Sequence, residues 1–231
     1  RSLVEVSRFP AIGRDAARAM IEGHGIEHVE EARRRGKGCI VITAHFGNWE
    51  LFGNWISLMG HPIDLLVGVQ HNEKIHRLFD SYRHSLGAET IEATVAARGI
   101  LRSLKQNRVV GIAGDQHSHT GLPLRFFGRT AIAARGPALF AVKADAPLLP
   151  YLMRRERYDR HVVMAGDPIY PPHSGDADRD VDAMTLAVHR FYEKIIRQYP
   201  DQWMWTHRRW KAADARENGS NFSTAEPVEE P

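Results

Sequence analysis

A histidine and an acidic residue stand five positions apart in the sequence HFGNWE, at His45 and Glu50. An imidazole titrates near neutral pH, so it can take a proton from a hydroxyl group and later give it to a leaving group. Such a base needs a partner, usually a carboxylate, that fixes its tautomer. The pair is therefore suited to general-base chemistry, such as the attack of a hydroxyl on a thioester. The competing interpretation is a satisfied structural histidine beside an acid that only caps a helix.

The residues that flank His45 predict the junction of a buried strand and a helix, over 38–43 and 48–59. The first segment is apolar and largely β-branched, and the second has helical spacing. Gly47 permits an unusual backbone conformation at the turn, and Asn48 is a favourable N-cap. On one continuous helix the two ionisable residues would lie about 140° apart, so only a strand–turn–helix junction brings them closer.

Helical and strand-like segments alternate along the chain, which predicts an α/β fold with a mostly parallel central sheet flanked by helices. The predicted strands are 38–43, 62–69, 89–91, 108–115, 148–156 and 161–166. The predicted helices are one or two within 14–35, then 48–59, 72–87, 94–106, one that starts near 136 and ends by 146, and 181–198. Residues 212–231 are acidic and poor in apolar residues, which predicts a disordered tail after a single domain at 1–211.

Asp115 ends one of the predicted strands, as His45 ends another. Ligands of parallel sheets usually bind beyond the carboxyl ends of the strands, so these two residues are expected to share a site. Either Glu50 or Asp115 can hold the imidazole, and the sequence leaves that choice open. A simple turn after Gly114 is the structural alternative for Asp115.

A metal site near Asp115 is a weaker possibility. His117 and His119 have a spacing that could ligate a metal together with that carboxylate. The surrounding sequence has neither a cysteine nor an H-E-x-x-H pattern, so we predict no metal.

Composition limits the classes of partner. The 231 residues are 43% hydrophobic, with a formal net charge of +3 and a pI of about 9.1. This mild basicity does not indicate nucleic acid, but it is compatible with anionic substrates or an anionic membrane surface. The single cysteine, Cys39, lies in an apolar run, which excludes a disulfide framework and indicates a reducing compartment.

The segment HFGNWE resembles the H-x-x-x-x-[DE] motif of glycerolipid-type acyltransferases. Its residues are most similar to those of the bacterial lipid A biosynthesis acyltransferase family, to which phosphatidylinositol mannoside acyltransferases are related. Other segments resemble that family in order and spacing, from about residue 20 to 211. They are GKGCIVITAHFGNWELFG, HNEKIHRLFDSYRHSLGAETI, LKQNRVVGIAGDQ, LRFFGRTAIAARGPALFAVKADAPLLPYLMRR and YPDQWMWTHRRWK. One departure is GDQHSHTGLP, which has two histidines where the family more often has acidic or glycine-rich residues.

The resemblance implies a glycerol-3-phosphate acyltransferase-like fold and transfer of a fatty acyl chain from acyl carrier protein or acyl-CoA to a lipid A precursor or a similar membrane glycolipid. It implies no cofactor, and a location on the cytoplasmic face of the inner membrane. The family normally carries an N-terminal hydrophobic segment. Because the chain starts with Arg1, we expect such an anchor to be missing from this fragment.

The resemblance also assigns roles to individual residues. The catalytic residues implied are His45, Glu50 and Asp115. The substrate-binding residues implied are Asn48, Arg83, Gln116, Phe127, Gly128, Arg135 and Arg154. Of these, Arg83 and Arg154 are expected to contact phosphate, whereas Arg155 and Arg157 are expected on the surface.

The segment QWMWTHRRWK mixes tryptophans with basic residues, a combination found at membrane interfaces. A terminal strand with inward-packed tryptophans is the alternative, and we expect it for Trp205.

Three other functions use parts of the same pattern. A phosphatidylinositol mannoside-type acyltransferase would use acyl-CoA. An esterase or thioesterase would use the same histidine–acid pair with water as the acceptor. A non-catalytic relative would bind glycolipid and leave thioesters intact, which the complete H-x-x-x-x-E motif disfavours.

Overall fold

The computed structural model describes residues 2–68 and 72–211, so Val69 of the predicted strand 62–69 and the predicted tail at 212–231 lie outside the described residues. The helices are α1 (Ser2–Ala19), α2 (Ile26–Arg34), α3 (Trp49–Leu58), α4 (Glu73–Ser85), α5 (Ala96–Lys105), α6 (Gly136–Ala144) and α7 (Ala177–Gln198). The strands are β1 (Ile21–Glu22), β2 (Cys39–Thr43), β3 (Ile63–Val67), β4 (Glu89–Glu92), β5 (Val109–Ala113), β6 (His117–Phe126), β7 (Arg129–Ala133), β8 (Leu148–Arg157) and β9 (Arg160–Ala165).

In the described part of the chain, seven strands form the central sheet in the order β1-β9-β8-β2-β5-β3-β4. Every neighbouring pair is parallel except β8 and β9, which are antiparallel. Strands β6 and β7 form a separate antiparallel hairpin. The predicted α/β fold with a mostly parallel central sheet is therefore confirmed.

The sequence of β2 explains why both faces of the sheet are covered. Successive side chains of a strand point to opposite faces. Ile40 and Ile42 join the core formed with α5, α6 and α7, whereas Cys39 and Val41 join the core formed with α1, α2 and α3. A strand buried on both sides is apolar throughout, as the run CIVIT is.

Most of the predicted elements form within a few residues of their expected bounds. The clearest differences lie at the chain's two ends. The segment 14–35, predicted as one or two helices, contains the end of α1, the short strand β1 and α2. Helix α1 already begins at Ser2 and is kinked at Gly13, where φ is +75°. The last helix begins at Ala177, four residues earlier than predicted, because Asp176 caps it by accepting hydrogen bonds from two backbone amides of its first turn.

A terminal strand was the alternative for the segment 202–211. In the structure this segment forms only an isolated bridge between Phe46 and Trp203 and does not extend into a strand. Among the described helices, none combines the length and apolarity that a membrane span requires.

Candidate active site

The register of two central strands brings His45 and Asp115 together. Strands β2 and β5 pair in parallel with Thr43 opposite Ala113, so the residues two positions further on also face each other. His45 Nδ1 lies 2.7 Å from Asp115 Oδ1. The carboxylate accepts this hydrogen bond, so the proton sits on Nδ1 and Nε2 is left with its lone pair.

The turn that carries His45 has a conformation that only glycine fits. Gly47 has φ of +55°, and a Cβ atom there would lie 1.9 Å from the carbonyl oxygen of Met153. The C-terminal segment holds the same turn from the other side. Gly47 N donates to Gln202 O at 2.8 Å, and Met204 N donates to His45 O at 3.0 Å. The backbone of the histidine is therefore fixed by two distant parts of the chain.

Asp115 is buried and ionised. Only 3% of it is exposed. Burial alone would raise the pKa of this carboxyl group, but the hydrogen bond and charge of His45, together with the hydrogen bond that Trp203 Nε1 donates to Oδ2 at 2.8 Å, lower the pKa below its ordinary value. A fixed anion at this position orients the imidazole and stabilises its protonated form.

The other nitrogen of the imidazole, Nε2, has only a long contact, and His45 lines a pocket. His45 is about one-fifth exposed, and its ring lies 5.3 Å from that of Trp49. The amide nitrogen of Gln116 approaches Nε2 at 3.5 Å, the long limit of a hydrogen bond. His45 therefore has one nitrogen committed to a buried carboxylate and one available to a substrate, which is the arrangement of a general base.

Glu50 does not bond to His45. Its carboxylate accepts two hydrogen bonds from Arg83, at 3.1 Å from Nε and 2.9 Å from Nη2. Arg83 also contacts Asp80 at 3.0 Å through Nη1. The side chains of Glu50 and Arg83 are mostly buried, so the bidentate pair ties the first turn of α3 to α4.

A pocket with a cavity volume of about 190 Å³ opens beside the imidazole. It lies between α3, α4 and the strands β2, β3 and β5. Its polar lining residues are Thr43, His45, Glu50 and Arg83. The apolar residues and glycines of the lining are Val41, Trp49, Phe52, Gly53, Ile63, Leu65, Leu66, Val67, Gly68, Gly111, Ile112 and Ala113. A lining that combines aliphatic and aromatic side chains with a few ionisable groups suits a hydrocarbon chain whose polar end lies at the histidine.

Asn48, predicted to contact substrate, is instead fully buried. Its Oδ1 accepts a hydrogen bond from Leu51 N at 3.1 Å, which caps α3, and its Nδ2 donates to Glu5 Oε2 at 2.5 Å. Arg155 donates to both oxygens of the same Glu5 carboxylate, at 3.0 and 2.7 Å. The expectation that Arg155 lies on the surface was therefore wrong, because Glu5, far away in sequence, supplies a buried counter-charge. Arg157 is exposed as expected.

Two other arginines that the sequence suggested for substrate binding lie outside the pocket lining. Arg135 joins α6 to α7 through Asp178 at 2.9 Å and Asp182 at 2.6 Å. Hydrogen bonding to Asp178 and Asp182 and their charge raise the pKa of Arg135, against the opposing effect of burial. Arg154 contacts Glu156 at 3.2 Å and covers the ring of Tyr199 at 4.9 Å.

Phe127 and Gly128 form the two-residue turn of the β6–β7 hairpin, both with positive φ. The ring of Phe127 stacks on Trp203 at 6.2 Å, so it lies one ring away from Asp115. Trp203, which the sequence did not single out as a site residue, is thus the contact that links the hairpin to the histidine–aspartate pair. Its neighbour Trp205 is 48% exposed, so the expectation of inward packing was wrong.

Within residues 2–68 and 72–211 no group of three or more histidine, cysteine or acidic side chains has a geometry that could hold a metal. His117 and His119 contact each other edge to face at 5.5 Å, and the backbone amide of His117 donates to His207 Nε2 at 2.7 Å. Asp115 is engaged by His45 and Trp203. The alternative of a metal shared by His117, His119 and Asp115 has no support in this geometry.

The fold and the site define an α/β protein in which a histidine–aspartate pair, at the carboxyl ends of two parallel strands, borders an apolar pocket. The model of the bacterial lipid A biosynthesis acyltransferase family matches residues 1–212. The chain therefore belongs to this acyltransferase family.

Individual relatives include two kinds of enzyme. The chain is 26% identical over 229 residues to a phosphatidylinositol mannoside acyltransferase of Mycolicibacterium smegmatis, covering 95% of this chain and 72% of the relative. It is 29% identical over 220 residues to that of Mycobacterium tuberculosis H37Rv, covering 90% and 66%. It is 22% identical over 191 residues to the lipid A biosynthesis lauroyltransferase of Escherichia coli K12, covering 81% and 60%. The chain thus spans about two thirds of the length of these relatives.

Among solved structures, the 1-acyl-sn-glycerophosphate acyltransferase PlsC of Thermotoga maritima is similar, with a TM-score of 0.48 and 14% identity. The match covers 84% of this chain and 79% of that structure.

Proposed function

We propose that this protein transfers a fatty acyl chain from a carrier thioester to a hydroxyl group of a membrane glycolipid, with His45 as the general base. His45 Nε2 takes the proton of the acceptor hydroxyl while its oxygen attacks the thioester carbonyl. The carbon–sulfur bond then breaks, the ester forms, and the proton is delivered from the imidazolium to the leaving thiolate. Asp115 holds the ring through Nδ1 and stabilises its charged state.

The observation that carries this proposal is the 2.7 Å contact between His45 Nδ1 and the buried, ionised Asp115, beside a pocket that His45 lines. A structural histidine needs no accessible nitrogen, and a lipid-binding protein needs no fixed base. In this role Asp115 is the partner of the imidazole, and Glu50 acts with Arg83 at the pocket wall.

The apolar pocket is proposed to take the acyl chain. More than half of its lining residues are aliphatic or aromatic, and its polar groups include the catalytic base. This places the reacting carbonyl near His45 and leaves the acceptor to approach from outside the sheet edge. Backbone amides at the turn before α3 and a nearby arginine are candidates to stabilise the oxyanion. The reaction proposed requires neither a metal nor a redox cofactor.

The acceptor is proposed to be a phosphorylated membrane glycolipid of the lipid A precursor or phosphatidylinositol mannoside type, presented at the cytoplasmic face of the inner membrane. The mycobacterial enzymes share 26% and 29% identity with this chain, against 22% for the lipid A lauroyltransferase. This difference favours the mannoside-type acceptor as the first to test. The donor is acyl carrier protein thioester or acyl-CoA.

The test is a reconstituted transfer assay with each donor and each acceptor, followed by mass spectrometry of the lipid product. The matched variants are His45→Ala and His84→Ala, since His84 is a half-exposed histidine on α4. We expect acylated glycolipid from the native protein and from His84→Ala, and a loss of about a hundredfold or more for His45→Ala.

Other results of the same assay identify the alternatives. Release of free fatty acid without acylated lipid would identify an esterase or thioesterase. Glycolipid binding with intact thioester would identify a non-catalytic relative. Undiminished transfer by His45→Ala would exclude His45 as the base.

A further inference from the structure

A group of aromatic rings, partly buried except for the exposed Trp205, adjoins the active site at the tip of the β6–β7 hairpin. Phe127 at the turn lies 6.0 Å from Trp205, and Trp205 stacks on Trp210 at 6.2 Å. Trp205 is one of the most exposed large apolar side chains among the described residues. Phe127 and Trp210 are partly buried against the core, whereas the indole of Trp205 projects from it and can meet something outside the chain.

Basic side chains surround the same rings. The Arg129 guanidinium lies 5.7 Å from the ring of Trp210, and that of Arg197 lies 4.9 Å from the ring of Phe127. Arg125, on the hairpin strand, is also exposed. The nearby acid is Glu193, which accepts hydrogen bonds from Arg197 and from the backbone of Phe127. We call Phe127, Trp205, Trp210, Arg125, Arg129 and Arg197 the aromatic–basic patch.

We propose that the aromatic–basic patch is the surface by which this protein docks on an anionic lipid bilayer. Tryptophan prefers the boundary between headgroups and acyl chains, and arginine is attracted by anionic headgroups. Arg125 and Arg129 are both exposed beside these rings, so cations and an exposed indole lie on the same surface. An acidic carrier protein would be bound through cations alone, which leaves the exposed ring of Trp205 without a role.

The patch is connected to the catalytic residues by direct contacts. Phe127 stacks on Trp203, and Trp203 donates a hydrogen bond to Asp115. The exposed apolar residues Val95 and Ile75 follow β4 and β3 along the chain, in the segments that leave the carboxyl ends of these strands. Docking at this edge turns the pocket mouth toward the membrane. A lipid hydroxyl then reaches His45 without leaving the bilayer, a consequence that rests on the function proposed above.

The experiment measures binding of the full chain to sedimented vesicles of neutral phosphatidylcholine, with and without about one third phosphatidylglycerol. The test variants are Arg125→Glu, Trp205→Ser and their combination. The matched controls are Arg34→Glu and Tyr170→Ser. They remove one exposed cation and one exposed ring near the amino ends of β2 and β8, at the opposite edge of the sheet.

We expect the native protein to bind anionic vesicles more tightly than neutral ones, and added salt to weaken that binding. The combined test variant should bind at least about tenfold more weakly, whereas the control pair should bind as the native protein does. Acyl transfer to an acceptor dispersed in detergent should persist in the test variants, which also shows that they fold.

Several outcomes would overturn the docking proposal. They are equal binding of neutral and anionic vesicles, native vesicle binding by the combined variant, and an equal loss in the control pair. Loss of acyl carrier protein binding or of self-association with vesicle binding intact would assign the patch to a protein partner instead. If the native protein binds vesicles as expected but transfers no acyl group to any acceptor, the proposed function fails and the docking surface stands.

Discussion

Glu50 and Arg83 face each other in a bidentate ion pair, with Nε to Oε2 at 3.1 Å and Nη2 to Oε1 at 2.9 Å, while His45 is held by Asp115. The acid of the short H-x-x-x-x-E motif is therefore not the direct partner of its histidine. It fixes the position of α4 at the pocket wall, and the residue that orients the base comes from the next strand in the sheet.

We expect Glu50→Gln and Arg83→Gln each to destabilise the protein by roughly 1–3 kcal/mol, because each leaves the other charge without its partner in a mostly buried place. The double variant should cost less than the sum of the two, which a double-mutant cycle of urea unfolding measures. Glu73→Gln, at an exposed acid of α4, is the control and should be close to neutral. If the unfolding free-energy changes of the two single variants simply add in the double variant, the ion pair contributes no coupling energy.

Asp115→Asn is expected to lower kcat by roughly a thousandfold or more while the fold is kept, because the amide no longer stabilises the imidazolium and can hold the wrong tautomer. Trp203→Phe keeps the ring but removes the hydrogen bond to Oδ2, and about a tenfold loss is expected. Steady-state transfer assays across pH check both. An unchanged kcat in Asp115→Asn would show that this carboxylate is not the catalytic partner of the imidazole.

Gly53 lies on α3 and faces Leu65 across the pocket lining. A Cβ atom there would be 3.1 and 3.3 Å from the methyl carbons of Leu65, and both residues line the pocket. Gly53→Ala should therefore reduce transfer from long-chain donors more than from short-chain donors. Competition between donors of different length, read by mass spectrometry, measures the change. Gly136→Ala adds the same methyl group at a roomier position outside the pocket and should leave the preference unchanged. Equal loss at every chain length would contradict the proposed use of this pocket.

His189 predicts how stability depends on pH. Burial, followed by the charge of Arg209, lowers its pKa from 6.5 to about 4. The unfolded chain thus binds the proton first, so stability is complete above about pH 6.5 and falls as pH drops toward 4, by roughly 3 kcal/mol in all. Urea unfolding at several pH values should show a steeper acid loss for the native protein than for His189→Gln. The exposed His84→Gln is the control, and parallel curves for native and His189→Gln proteins would refute the prediction.

Local sequence was sufficient to predict most of the elements around the site. The run CIVIT can only be buried on both faces, Gly47 allows a turn that a side chain would block, and Asn48 caps the helix that follows. These are short-range effects of hydrophobic pattern, backbone freedom and capping, so they can be read from neighbouring residues. The same reasoning placed Asp115 at a strand end and predicted that it shares a site with His45.

The sequence alone could not select the partner of His45. Strand β5 follows β2 only after β3 and β4 along the chain, yet it lies directly beside β2 in the sheet. That adjacency, and the register that sets Thr43 opposite Ala113, are decided by packing of the whole sheet. Two expectations failed for the same reason. Arg155 is mostly covered because Glu5 of the first helix neutralises it, and Trp205 is exposed because its neighbours Trp203 and Phe127 fill the space beneath it.

The amino-acid sequence by itself thus determined the alternating elements, the family resemblance and the chemical types at the strand ends. Only the tertiary structure decided which charges meet. Elements form from contacts between near neighbours, whereas a hydrogen bond between residues 70 positions apart depends on how every intervening strand and helix packs.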